Sequence, residues 1–114
     1  MNCLYFTSDL MFTSRVKPVA QEMGALLKFP GFEQIDFDSK PDLVIFDLEF
    51  VGKEELKGLM EKFVSLWGND LPRIIAYGPH VKEARLQNAR DCGVPEVITR
   101  GQFNKGFAAY FANA

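Results

Sequence analysis

Asp47 is the residue of this chain best placed to do chemistry. It comes near the end of Pro41-Asp42-Leu43-Val44-Ile45-Phe46-Asp47-Leu48, a proline followed by an apolar run that closes on a carboxylate. A continuous apolar run of this kind predicts a strand buried on both faces, as in parallel sheets. An aspartate at its end stands at the carboxyl edge of the sheet, where open α/β folds place their ligands. Asp47 is therefore either a working carboxylate or what remains of one. Glu49 follows in the next loop, and Asp9 follows the first apolar run of the chain. With Asp47 they are the carboxylates that could gather a cation, although Glu49 reads more plainly as a solvated loop residue. His80, after Gly78-Pro79, has no serine or cysteine at a nucleophile elbow to go with it and reads as an ordinary loop histidine. Thr7-Ser8-Asp9 lacks the glycines of a dinucleotide loop, which argues against a dinucleotide enzyme. A flavin or another small ligand at the strand ends stays open, with no residue that argues for it.

The elements that must hold these residues alternate between strand and helix. Cys3 to Phe6 predicts a first strand, and Thr7, Ser8 and Asp9 can each cap the helix that follows, from about Asp9 to Met23. Phe12, Val16, Val19, Ala20 and Met23 form its apolar face, Pro18 should kink it, and Gly24 should end it. Ala25 to Phe29 predicts a short second strand, with a turn at Pro30-Gly31. Phe32 to Asp38 fits a short helix or irregular turn better than a strand, and Asp38-Ser39-Lys40 reads as a solvated turn. Leu43 to Asp47 is the third strand. Gly52 to Trp67 is the clearest helix, with Leu56, Leu59, Met60, Phe63, Val64 and Trp67 as its core-facing stripe. Arg73 to Tyr77 predicts the fourth strand. Val81 to Cys92 predicts a thin-faced helix on Val81, Ala84, Ala89 and Cys92, ended by Gly93. Glu96 to Thr99 predicts the last strand, and Gln102 to Phe111 a closing helix with Phe103, Phe107, Tyr110 and Phe111 turned inward. Such alternation predicts a parallel sheet covered on both faces with right-handed crossovers, its five strands in the order 2-1-3-4-5.

Bulk composition narrows the function classes. At 114 residues the chain is one domain, residues 1–114, with one hydrophobic core. A net charge of −2 gives no reason to expect nucleic acid or an anionic membrane as the main partner. Cys3 and Cys92 sit in apolar or small-residue settings and read as reduced thiols of a cytosolic protein. No segment has the length of a membrane span or the pattern of a signal peptide, so the expected location is cytoplasmic.

Three segments, in this order and spacing, resemble the receiver domain of two-component response regulators. Pro41 to Leu48 resembles the family's third strand with its phosphoacceptor aspartate. Pro72-Arg73-Ile74-Ile75-Ala76-Tyr77-Gly78 resembles its fourth. Cys92-Gly93-Val94-Pro95-Glu96-Val97-Ile98-Thr99-Arg100 resembles the approach to the fifth strand and the family's lysine. The resemblance spans nearly the whole chain and implies a flavodoxin-like three-layer sandwich. It maps the phosphoacceptor onto Asp47, the acidic pair that holds magnesium onto Thr7 and Ser8, the switch hydroxyl onto Tyr77, and the lysine onto Arg100.

Of those positions only Asp47 keeps the family's residue type. Phosphoryl transfer to a carboxylate brings anionic oxygens together, and a metal with a lysine normally offsets that charge. Thr7 and Ser8 offer neutral hydroxyls where magnesium prefers carboxylates. Asp9 comes one position too late and should sit at the helix N-terminus. Arg100 keeps the charge without the compact ammonium, and Tyr77 cannot move as a small hydroxyl does. Asp47 would then be a carboxylate paired with Arg100 across adjacent strand ends. The expectation is an atypical receiver, or pseudo-receiver: a non-enzymatic module with no cofactor and doubtful magnesium binding. As it stands the chain carries no output domain, so it should act by binding another protein, in signalling, or by homodimerising. The resemblance implies the face of the last two helices and the last strand for that contact, where Lys82, Glu83, Arg85, Gln87 and Arg90 make a polar surface. A phosphorylatable Asp47 remains the alternative.

Overall fold

The computed structural model describes residues 1–112. The elements run β1 (Asn2–Phe6), α1 (Leu10–Glu22), β2 (Leu26–Lys28), β3 (Leu43–Asp47), α2 (Lys53–Trp67), β4 (Arg73–Gly78), α3 (Glu83–Asp91), β5 (Glu96–Thr99) and α4 (Arg100–Ala112). The strands form one parallel sheet in the order β2-β1-β3-β4-β5, as the alternation predicts. Among the described residues no helix is long and apolar enough to cross a membrane.

Strand periodicity sorts the core into two layers. Cys3, Tyr5, Leu43, Ile45, Ile75 and Tyr77 pack on one face against Phe12, Val16 and Ala20 of α1 and Phe103 and Phe111 of α4. Phe6, Val44, Phe46, Ile74 and Ala76 pack on the other against Leu56, Met60 and Phe63 of α2 and Leu86 and Ala89 of α3. All five residues of β3 are buried, which is why its unbroken apolar run was a sound strand signal. The edge strand β5 is tied on by a two-pronged bond from Arg73 to Glu96, at 2.8 and 3.0 Å. Gly24 and Gly93 follow their helices with φ of +76° and +91°, the left-handed backbone that makes glycine a stop signal.

Three expectations need correction. The α3 face is not Val81 and Ala84: both are exposed, and Leu86 and Ala89 carry the burial. The helix begins only at Glu83, because a turn closed by Lys82 N–H on the Pro79 carbonyl holds Val81 ahead of it. Val64 is 51% exposed, on the rim of a groove between α2 and Cys92 that the short α3 leaves uncovered. Met23 caps α1 from outside the core and is also exposed. Pro18 lies inside α1 as expected, on its outer side.

Residues 29–42 contain turns and no helix. Where a crossover helix would cover the sheet, aromatic rings do so instead. Phe32 stacks between Phe6 and Phe50, with centroids 6.0 and 5.3 Å away, and Phe37 packs on Phe63 at 6.1 Å. Both cysteines are free, and burial pushes the Cys3 thiol up to about 12, which leaves it unreactive.

Candidate functional site

Parallel pairing sets Asp47 beside Tyr77 at the carboxyl edge of the sheet, with β1 delivering Thr7 alongside. The Asp47 side chain is nearly closed off, at 4% exposure, and both of its oxygens are occupied. The Thr7 hydroxyl donates to Oδ2 at 2.6 Å, and the Glu49 backbone N–H donates to Oδ1 at 3.0 Å. Burial raises the Asp47 pKa above the ordinary carboxylate value. The two hydrogen bonds and the Arg100 charge pull it down, and the Glu49 charge adds to the rise.

The expected Asp47–Arg100 pair is not formed. Arg100 bonds Asp9 through Nη2 and reaches Glu49 at 3.5 Å through Nη1, acting on Asp47 only through its field. The reason is position. Arg100 opens α4 rather than ending β5, so its guanidinium rises above the strand ends to the loop carboxylates. Asp9 stands where the sequence places it, as N-cap of α1, accepting from Phe12 N–H at 2.9 Å. That bond is the main cause of its lowered pKa, with Arg100 adding to it. Asp9 and Glu49 thus share one cation that the protein itself supplies. Among the described residues no group of three metal-ligating side chains comes together, so Asp47, Glu49 and Asp9 do not assemble the cation site considered from the sequence.

Tyr77 packs in the α1–α4 layer, and the Asp47 charge adds to burial in raising its pKa, so the phenol lies within the field of the strand-end carboxylate. Tyr77 is 1% exposed, lies stacked on Phe103 at 4.5 Å, and shares a 2.6 Å hydrogen bond with the Tyr5 hydroxyl. Burial raises the pKa of both phenols. Ser8 is exposed and His80 stands in the exposed turn before α3.

Two features of the site went unseen in the sequence. Arg85 was read as part of a polar outer surface, yet its Nη2 donates to the Val51 carbonyl at 2.6 Å and the Leu48 carbonyl at 3.4 Å. It clamps the loop that follows Asp47, a long-range contact no local pattern announces. Thr99 and Gln102 cap α4 reciprocally: Gln102 N–H donates to the Thr99 hydroxyl at 3.1 Å, and Thr99 N–H to the Gln102 side-chain oxygen at 2.9 Å. Here the signal was present, a threonine followed three positions later by glutamine, and it would have started α4 earlier.

No protein-family model matches the chain, and no curated protein matches it either. Solved structures do. A response regulator CheY-like protein from Mesorhizobium loti is 18% identical, with 98% of each chain covered and a TM-score of 0.66. The signal receiver domain of a signal transduction histidine kinase from Syntrophus aciditrophicus is 15% identical, covering 96% of this chain and 86% of that one at a TM-score of 0.72. The phosphorylated cyanobacterial phytochrome response regulator RcpA is 15% identical, covering 97% and 88% at a TM-score of 0.63. At these identities the likeness is one of fold: the chain has the CheY-like, flavodoxin-like architecture of response-regulator receiver domains.

Proposed function

We propose that this chain is a degenerate receiver domain, a single signalling module that works by binding another protein and does not need phosphorylation. The observation that carries this reading is the occupancy of the strand-end pocket. Asp47 is buried with both oxygens hydrogen-bonded, and the cation beside it is held by Asp9 and Glu49. A carboxylate so placed is a poor nucleophile. Attack would require it to give up two donors and to meet a phosphoryl group with only one remote guanidinium to offset the charge. Thr7 and Ser8 bring hydroxyls, not carboxylates, to the positions where magnesium would be held. The face built by α3, β5 and α4 is the proposed contact surface, with Lys82, Glu83, Gln87 and Arg90 exposed on it. Arg85 no longer counts toward that surface. A second copy of the chain is the other candidate partner, which sedimentation over a concentration series would detect.

Asp47 phosphorylation stays a second reading, favoured by its place at the carboxyl edge of β3 beside a cationic helix start. Amide NMR separates the two. The protein is titrated with magnesium, then with magnesium and beryllofluoride, a phosphoryl mimic, alongside Asp47→Asn. We expect no saturable response at millimolar magnesium. Shifts that start at Asp47, spread to Arg100 and α4, and vanish in Asp47→Asn would overturn the proposal in favour of a working phosphoacceptor.

A further inference from the structure

A cleft of about 400 Å3 lies between α1, α4 and the loop from β4 to α3, with Arg100 forming the wall it shares with the strand-end site. Its walls carry Arg15, His80, Arg100 and Asn104 over a floor of Phe12; an adjoining hollow shares Phe12, Arg15 and Arg100 and is lined also by Asp9. The volume is within the range of small-molecule sites, roughly 300–1,000 Å3.

Its charges are unevenly answered. The Phe12 ring has two guanidinium groups over it, Arg15 at 5.5 Å and Arg100 at 5.4 Å from the centroid. Arg100 has Asp9 and Glu49 as counter-charges. Arg15 forms no ion pair among the described residues; its Nη2 donates to the neutral Asn104 Oδ1 at 2.7 Å. That bond and the ring orient the Arg15 fork along the cleft, although the residue itself is exposed. Gly101, in the first turn of α4, brings backbone into the cleft wall without a side chain in the way. Two arginines on one ring, one lacking an anion, form a receptor for a planar or tetrahedral oxyanion.

We propose that this cleft binds a small phosphomonoester, its phosphate held by Arg15 and Arg100 and its body lying along His80 and Asn104. Asp47 does not line this cleft.

Amide and arginine side-chain NMR on the full chain tests it, with glycerol 3-phosphate and inorganic phosphate as separate probes and sodium chloride at matched ionic strength as control. Saturable shifts are expected at Phe12–Arg15 and Arg100–Asn104, with glycerol 3-phosphate the tighter of the two. Arg15→Gln should weaken binding about tenfold or more, equivalent to ~1.4 kcal/mol. Lys62→Gln, on the far side of the sheet, should leave binding unchanged. Superimposable spectra of the free variants would show that each is folded. Shifts that never saturate, or that chloride reproduces, would mean charge screening alone and overturn the proposal. A response kept in Arg15→Gln but lost in Asp47→Asn would move the phosphate to the strand-end pocket and also overturn it.

Discussion

Two aspartates at the same edge of the sheet titrate in opposite directions, and each has a consequence for stability. Burial raises the Asp47 pKa, so the folded chain binds that proton more readily than the unfolded chain does. Its ionised form therefore costs stability at high pH. The cost is relieved as pH falls through the folded-state pKa toward the ordinary carboxylate value. In Asp47→Asn the Thr7 hydroxyl can turn to accept from the new amide, so the contacts survive without the charge. We expect this variant to be more stable than the parent at neutral pH by about 1 kcal/mol, a few degrees in Tm. Melts over a pH series should show the gap narrowing as pH drops, and a parent that is equally stable at neutral pH would contradict the assignment. Asp9 behaves in reverse, its pKa lowered first by the Phe12 N–H bond. Its contribution is complete above the ordinary carboxylate value and fades as pH falls below it. Asp9→Ala should cost about 1 kcal/mol in urea denaturation, mainly as a lost helix cap. The Arg100 pair adds little, since 41% of that side chain is exposed.

Among the elements, α1 carries the clearest fault. Pro18 sits in its third turn on the solvent side, where it removes a helical hydrogen bond. The helix persists because Phe12, Val16 and Ala20 bury one stripe against the sheet. Pro18→Ala should restore the bond and raise stability by about 1–3 kcal/mol, read from chemical denaturation. No gain would mean that the proline limits the unfolded chain as much as it strains the helix. Legibility at this scale followed local pattern more than burial, since β5 was bounded correctly although none of its residues is fully buried. The bounds of β3 and β5 match their sequence patterns to the residue, and α2 to within one. The α3 face was misread because a short helix offers too few turns for a period to declare itself, and because Val81 looks apolar whether or not a helix has begun.

Across the whole molecule the unusual feature is the sheet face over which no helix runs between β2 and β3. Phe32, stacked between Phe6 and Phe50, and Phe37, tilted against Phe63, cover it in place of a helix. Each is partly buried, so Phe32→Ala should cost less than a full core deletion, about 2 kcal/mol, without changing the fold. Near-ultraviolet circular dichroism with urea melts would check this. Loss of folding would mean that the ring stack substitutes fully for the missing helix. The same architecture shapes the surface proposed for a partner. With Arg85 drawn inward to brace the Asp47 loop, the outward face of α3 keeps Lys82, Glu83, Gln87 and Arg90.

The alternation of buried runs and amphipathic stretches determined the sheet, its strand order and the position of Asp47 at its edge, because burial imprints a period on local sequence. It also set Asp9 as a cap, since capping is satisfied within a few residues of chain. Only the tertiary structure decided where the charges go. Arg100 chose Asp9 and Glu49 over Asp47, Arg85 turned to the carbonyls of a distant loop, and Tyr77 pointed into the core. Long side chains select partners by proximity in space, and the distances among strand ends, loops and helix starts are not written in any local window of sequence.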